Sequence, residues 1–257
     1  SPESAAATAI MGTFATAEDV MGEDVVKLAQ VKEPEEYLVD DSMIIEPLPE
    51  EEAKKVEIVR GPNIKFLPIP EPPRQHLQVP VSLKGGDNIS TDDITPASAE
   101  FSSMRSNIPL MSQYCYYRYD PDFAARAKEM DSSIIVAGEN YGQGSSREHA
   151  AINPMYLGVK AVIAKSIARI HKGNLINHGI IPMIFEDCRD YDRIDLLDEL
   201  EIDNLPDQIR TRTVTVKDKT KDFTFQVKLE LSNSEMEVVL EGGQLSHLKK
   251  QLAGQEE

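Results

Sequence analysis

The stretch that decides the fold is residues 138–149, which read GENYGQGSSREH. It follows a β-rich apolar run at residues 132–137 and leads into residues 146–157, which have the pattern of a helix. Glu148 would lie in the first turn of that helix, and Gly158 just past its end. A strand, a glycine-rich loop and a helix in this order are typical of a place where the backbone approaches a ligand closely. We therefore expect an α/β fold with a functional loop at this junction.

The loop is interpreted as an anion site because a helix is predicted to begin at Ser145 and Ser146. Free N–H groups and the positive end of the helix dipole would lie there. Arg147 would occupy the first turn, where a cation opposes the dipole, and an anion bound in front of it would offset that cost. Ordinary capping by the two serines, with glycines for a tight turn, explains the local pattern at least as well.

The segments that follow the loop predict a partly parallel sheet. Residues 159–164 and 180–185 read as buried strands, and residues 166–177 between them read as a helix. Alternation of strands and helices favours parallel pairing. Residues 211–217 and 223–231 alternate in polarity like antiparallel strands.

The amino-terminal third has a different composition. Residues 1–17 are mostly small and apolar and predict a short helix, which we interpret as the remnant of a preceding domain, left by cutting a longer chain. Residues 18–79 are acidic and interrupted by prolines, which fix φ and remove a hydrogen-bond donor. They predict an extended linker, with plain disorder as the alternative around residues 50–55. Residues 80–257 predict one compact α/β domain.

Composition limits the function. The 257 residues carry a net charge of −17, which argues against a nucleic-acid partner bound through a broad basic face. A small anionic substrate is compatible with this charge if arginines cluster locally. No apolar run approaches the roughly 20 residues that span a bilayer, so we expect a soluble protein with no membrane partner. Cys115 and Cys188 stand alone, which favours reduced thiols in a cytoplasmic protein and no metal site built from cysteine.

Three sequence blocks resemble the swivelling C-terminal domain of the aconitase superfamily. They are GENYGQGSSREHAA at residues 138–151, KSIARIH at residues 165–171, and DNISTDDITPA at residues 87–97. The resemblance covers about residues 80–250. Residues 1–14 more weakly resemble the end of the preceding, cluster-binding part of single-chain aconitases. The fold implied is a swivelling β/β/α domain with a partly parallel sheet, preceded by an extended linker.

The resemblance also implies roles for individual side chains. Ser145 matches the base that exchanges the Cα proton of the substrate, and Ser146 and Arg147 match residues that bind a substrate carboxylate. Arg105 is the best match for a second carboxylate-binding arginine, with a solvated surface arginine as the alternative. Asp92 matches a position near the site that would orient an arginine, and a structural turn or N-cap role fits it equally well.

A [4Fe-4S] cluster is implied for the full-length enzyme, held by three cysteines that have no counterpart in this chain. We therefore expect no metal ligand here. The expected partners are a tricarboxylate substrate and the N-terminal cluster-binding domains of the same protein.

The function expected first is that of an aconitate hydratase, which interconverts citrate and isocitrate through cis-aconitate, with the isolated chain inactive. The alternatives are a hydro-lyase acting on isopropylmalate, homoaconitate or methylcitrate, an RNA-binding regulator, and a non-catalytic partner module.

Overall fold

The computed structural model describes residues 1–22, 33–66 and 68–253. The chain divides into two units, Ser1–Ile58 and Val59–Glu257. The first unit contains short helices, α1 (Pro2–Met11), α2 (Ala17–Met21) and α3 (Glu50–Ala53). Gly12 ends α1 in the left-handed conformation, with φ 67°, so the helix predicted for this region is confirmed. Residues 33–49 form no helix or strand and are exposed. The division into remnant, linker and domain stays a prediction.

The second unit alternates strands with helices. Its strands are β1 (His76–Lys84), β2 (Ser133–Ala137), β3 (Val159–Ala164), β4 (Ile181–Phe185), β5 (Glu199–Asp203), β6 (Thr213–Asp218) and β7 (Phe223–Lys228). Its α-helices are α4 (Thr91–Ile94), α5 (Ala99–Ser102), α6 (Ile108–Met111), α7 (Phe123–Met130), α8 (His149–Tyr156), α9 (Arg169–Asn177), α10 (Leu205–Thr211), α11 (Asn233–Leu240) and α12 (Gln244–Ala253). Short 3-10 helices lie at Ser112–Tyr114 and Cys188–Arg193.

The strands form a closed barrel in the order β1-β2-β3-β4-β7-β6-β5. The four strands β1 to β4 pair in parallel, while β7, β6 and β5 complete the barrel through antiparallel pairing, and β5 returns to β1. The α/β class and the partly parallel sheet are therefore confirmed. The antiparallel pairing of β5 with β1, which was not predicted, closes the barrel, so this sheet has no free edge. β1 begins at His76, so the boundary placed at residues 79/80 falls inside this strand.

The core lies on both faces of the parallel strands. In β2, Ile134 and Val136 point into the barrel, whereas Ile135 and Ala137 pack in a second cluster with residues of the crossover helices. This explains why these strands are continuously apolar in sequence, since a parallel strand covered on both faces has no polar side. In β6, by contrast, buried Val214 and Val216 alternate with exposed residues, as expected for a strand with one solvated face.

None of the helices in the described ranges is long and apolar enough to cross a membrane.

The assignment of the core can be tested with two isoleucines, one buried and one exposed. Ile163 of β3 is fully buried inside the barrel, whereas Ile170 of α9 is 49% exposed. Ile163→Ala leaves a cavity and is expected to lower the free energy of unfolding by about 2–5 kcal/mol. Ile170→Ala is the matched control and is expected to change it by about 0.5 kcal/mol or less. Urea unfolding measures both, and equal losses would contradict the assigned core.

Candidate functional site

The three blocks singled out in the sequence lie at one edge of the barrel. Residues 87–97 follow β1, residues 138–151 follow β2 and residues 165–171 follow β3. Because β1, β2 and β3 are parallel neighbours, their carboxyl ends meet at the same edge of the sheet. Ligand sites of α/β proteins are commonly built at this edge. We call residues 138–148 the glycine loop.

Backbone hydrogen bonds join the glycine loop to the segment after β1. The N–H of Gly142 donates to the carbonyl of Ile89 at 2.7 Å, and the N–H of Thr91 donates to the carbonyl of Gln143 at 2.9 Å. The Thr91 hydroxyl then donates to the carbonyl of Ser145 at 3.1 Å. The path of the loop is therefore fixed by α4 and the residues just before it.

The segment after β3 holds the other side of the loop. The N–H of Tyr141 donates to the carbonyl of Ser166 at 3.0 Å. The Ser166 hydroxyl accepts from the N–H of Asn140 at 2.7 Å and donates to the Glu139 carboxylate at 2.6 Å. The loop is thus held between two neighbouring segments, and Glu139, Thr91 and Ser166 are framing residues that the sequence analysis did not single out. For Glu139 and Ser166, a position two residues after a buried strand is the signal that would have found them.

Gly142 is required by close packing. Its φ is +77°, and a Cβ atom built on it would overlap the ring of His171. Gly144 also has a positive φ, +104°, which side-chain-bearing residues rarely adopt. Both glycines therefore shape the turn that leads to Ser145.

The helix after the loop begins later than predicted. α8 starts at His149 with Glu148 as N-cap, and no side chain caps it, so the expectation that Ser145 and Ser146 begin the helix is wrong. The physical reason is tertiary, because the positive φ of Gly144 and the hydrogen bond from Thr91 hold the chain out of helical geometry. Arg147 consequently lies outside the first turn and does not oppose the helix dipole.

Arg147 instead forms an ion pair with Asp92. Its Nη1 donates to Oδ1 of Asp92, and the two side chains are 24% and 58% exposed respectively. The structure thus brings together two residues that are 55 positions apart in the sequence. Asp92 lies within α4, whose N-cap is Ser90, so Asp92 is not the N-cap, and its supporting role at the site stays a prediction. Ser145 and Ser146 are exposed beside this pair in sequence and remain accessible to a ligand.

Arg105 reaches the same region through its backbone. Its carbonyl oxygen lies 3.0 Å from Nε2 of His149, the first residue of α8, and the residue itself is exposed. His149 acts as a structural hydrogen-bonding partner here. The role of the Arg105 side chain as a second carboxylate-binding group stays a prediction, as do the roles of Ser145, Ser146 and Arg147.

Lys84 and Lys165, at the carboxyl ends of β1 and β3, were missed by the sequence analysis. Their Nζ atoms lie 3.4 and 4.4 Å from the centroid of the Tyr191 ring, and Lys84 also donates to the Tyr191 carbonyl. Burial lowers the pKa of Lys84 to about 8. This edge of the barrel therefore holds the cations Lys84, Lys165 and Arg147 beside the carboxylates of Asp92 and Glu139.

The chain's own residues do not fit an iron–sulfur cluster. Cys115 is buried and Cys188 is exposed, and they are the two cysteines of the chain. Among residues 1–22, 33–66 and 68–253, no three His, Cys, Asp or Glu side chains are grouped to hold a metal ion.

Comparison with known proteins agrees with this arrangement. A family model described as the aconitase C-terminal domain matches residues 107–188. The 3-isopropylmalate dehydratase small subunit 2 of Archaeoglobus fulgidus is 41% identical over 167 residues, which are 65% of this chain and 92% of that protein. The putative mitochondrial aconitate hydratase of Emericella nidulans is 32% identical over 212 residues, which are 72% of this chain and 26% of that protein.

A solved structure shares the fold. The crystal structure of 3-isopropylmalate dehydratase from Methanocaldococcus jannaschii has a TM-score of 0.58 and 33% identity, covering 70% of this chain and 98% of that chain. The chain thus spans nearly all of the small subunit and about a quarter of the aconitate hydratase that it matches. The chain belongs to the aconitase family of hydro-lyases, as the three sequence blocks predicted.

The packing under the loop predicts the effect of adding a methyl group. Gly142→Ala places a Cβ against the His171 ring and forces alanine to a positive φ, so we expect a loss of about 1–3 kcal/mol in unfolding free energy. Gly173→Ala in α9 is the control, because nothing lies within 4 Å of the new Cβ, and it is expected to gain about 0.5–1 kcal/mol. Chemical denaturation compares the two. An unchanged Gly142→Ala protein would contradict the assigned packing.

The buried side chain of His171 should make the stability of the protein depend on pH. Burial lowers its pKa from 6.5 to about 4. The unfolded chain therefore binds this proton at higher pH than the folded chain, and stability falls as the pH drops from 6.5 towards 4. Between pH 7 and pH 5 the His171 contribution is expected to be about 2 kcal/mol. His171→Phe removes it, so urea unfolding of this variant should depend less steeply on pH than that of the wild type. Equal slopes would refute the assignment.

Proposed function

We propose that this chain supplies the substrate-binding half of a hydro-lyase active site for small hydroxy acids that carry two or three carboxylates. The observation that carries the proposal is the pair of exposed serines, Ser145 and Ser146, next to the partly buried Arg147, which is paired with Asp92 at the carboxyl edge of the parallel strands. Arg147 and the Ser146 hydroxyl bind one substrate carboxylate. The fixed geometry of a guanidinium suits such an anion, since it donates two parallel hydrogen bonds.

Ser145 is proposed to exchange the proton on the substrate Cα. A serine hydroxyl is a weak base unless its alkoxide is stabilised. With α8 beginning at His149, stabilisation by the helix N-terminus is less direct than the sequence suggested. The neighbouring Arg147 cation is therefore proposed to carry more of that role. Arg105 is proposed as a second group for a carboxylate.

The relatives reverse the order of the two candidate substrates. The similarity to a 3-isopropylmalate dehydratase small subunit extends over almost all of that protein and includes a solved structure. An isopropylmalate-type acid, or the related homoaconitate or methylcitrate, is therefore proposed first. Aconitate is kept as the second candidate. The similarity to an aconitate hydratase supports it, since that similarity covers 72% of this chain against 65% for the small subunit.

A partner is proposed to supply the other half of the site. The matched Archaeoglobus fulgidus protein is named a small subunit, and this chain contains no residues that fit an iron–sulfur cluster in its described ranges. The partner is either a separate large subunit or preceding domains of the same polypeptide, and the [4Fe-4S] cluster is proposed to belong to it. The chain alone is then inactive.

Kinetics of the assembled enzyme, with the cluster-binding part present, tests this proposal. Ser145→Ala is expected to lower kcat by roughly 10²–10⁴-fold, because proton transfer loses its base. Arg147→Lys is expected to raise KM, because an ammonium cannot make the paired hydrogen bonds. Ser102→Ala and Arg189→Lys, at exposed positions, are matched controls expected to behave like wild type.

The same assay with isopropylmalate, homoaconitate, methylcitrate, citrate and isocitrate separates the candidates. Turnover of isopropylmalate or a close analogue with no turnover of citrate supports the first, and the reverse supports the second. Turnover of none of these acids by a cluster-loaded assembly, or full activity of Ser145→Ala, would defeat the proposal.

A further inference from the structure

A buried pair of phenol groups lies under the glycine loop. Tyr116 and Tyr141 are both fully buried, and their hydroxyls are hydrogen-bonded to each other. Tyr141 belongs to the loop and directly precedes Gly142, whereas Tyr116 comes from the segment between α6 and α7. Burial raises the pKa of both phenols, so both stay protonated at ordinary pH. One hydroxyl therefore always has a proton to donate to the other.

Tyr116 adopts a costly backbone conformation to make this contact. Its φ is +58°, in the left-handed region that bulky side chains rarely enter. Such a conformation persists only where the surroundings hold it in place. Here the Tyr116 N–H donates to the carbonyl of Ile94 at 3.0 Å, and its ring packs edge-on against Phe123 with centroids 4.6 Å apart.

The same contacts connect two parts of the site. Ile94 is the last residue of α4, the helix that carries Asp92 and whose Thr91 binds the loop. Tyr116 is thus bonded to α4 through its backbone and to the glycine loop through its hydroxyl. On the other side of Tyr141, the His171 ring packs edge-on with centroids 5.2 Å apart and fills the space under Gly142.

We propose that the Tyr116–Tyr141 hydroxyl pair positions the glycine loop relative to α4, and so sets the placement of Ser145 and Arg147. Tyr116 is a positioning residue, since it acts through Tyr141. The inference about loop geometry stands on these contacts, while its consequence for catalysis rests on the proposed function.

The alternative role of the two tyrosines is simple core filling. Variants that remove one or both hydroxyls separate this role from positioning of the glycine loop. Tyr116→Phe keeps the ring and leaves the Tyr141 hydroxyl buried without its partner, and Tyr141→Phe does the reverse. An unpaired buried hydroxyl is costly, whereas loss of both partners is close to neutral. The double variant Tyr116→Phe/Tyr141→Phe should therefore recover most of the stability that each single variant loses. It should not recover the position of the loop, because the hydrogen bond between the two hydroxyls is still absent. Tyr114→Phe, which removes a hydroxyl from the same segment outside the pair, is the matched control.

Amide hydrogen exchange of the full chain measures the effect. The reporters are Gly142 and Thr91, whose N–H groups bond across the loop, and the references are Val214 and Val216 of β6. Each single variant is expected to accelerate exchange at the reporters by roughly tenfold, with the references unchanged. The double variant should stay accelerated at the reporters, because the bond between Tyr116 and the loop is still missing, and Tyr114→Phe should match wild type. Single variants with wild-type rates at the reporters, or equal acceleration at reporters and references, would overturn the inference. So would a double variant that returns to wild-type rates at the reporters.

Activity of the assembled enzyme adds an independent reading. Each single variant and the double variant are expected to lower kcat about tenfold, since misplacement of reacting groups by small distances is costly. The two readings can disagree. If the wild-type assembly turns over no acid but hydrogen exchange follows the expected pattern, the proposed function is refuted and the positioning role is still supported.

Discussion

Parallel pairing of β1, β2 and β3 is the constraint on which the site depends. Each of these strands ends at the same edge, so the segments that follow them, which lie far apart between residues 87 and 171 of the sequence, become neighbours. The segments then complete one another's hydrogen bonds, because each has left its strand and its backbone groups need new partners. The glycine loop is held on both sides by such bonds, from Thr91 and from Ser166.

In this arrangement, one part of the glycine loop is buried and supports the part that is exposed. The root of the loop, at Tyr141 and Gly142, is packed against His171 and Tyr116 without access to solvent. A few residues further on, Ser145 and Ser146 are exposed. A binding group on a loop is placed well only if its support is rigid. The buried aromatic residues supply that support, and they do so without introducing charge below the site.

Charged side chains of both signs lie at the edge that bears the glycine loop. It holds Arg147, Lys84 and Lys165 together with the carboxylates of Asp92 and Glu139. Arg147 has one carboxylate partner, Asp92, and both side chains retain access to water. A partly exposed pair of this kind contributes little to stability. Its consequence is geometric, since Asp92 directs the guanidinium without burying it.

The sequence by itself determined the central strands, the antiparallel pair at β6 and β7, and the three blocks that define the family. These features follow from local patterns, because burial on both faces makes β2 and β3 continuously apolar and burial on one face makes β6 alternate. Only the tertiary structure decided the start of α8, the pairing of Arg147 with Asp92, and the contact between Tyr116 and Tyr141. Serines are good N-caps, so the local pattern favoured a helix from Ser145, but contacts from Thr91 hold that segment in another conformation. Barrel closure was decided in the same way, because β5 meets β1 more than 110 residues along the chain, and no local pattern encodes such a pairing.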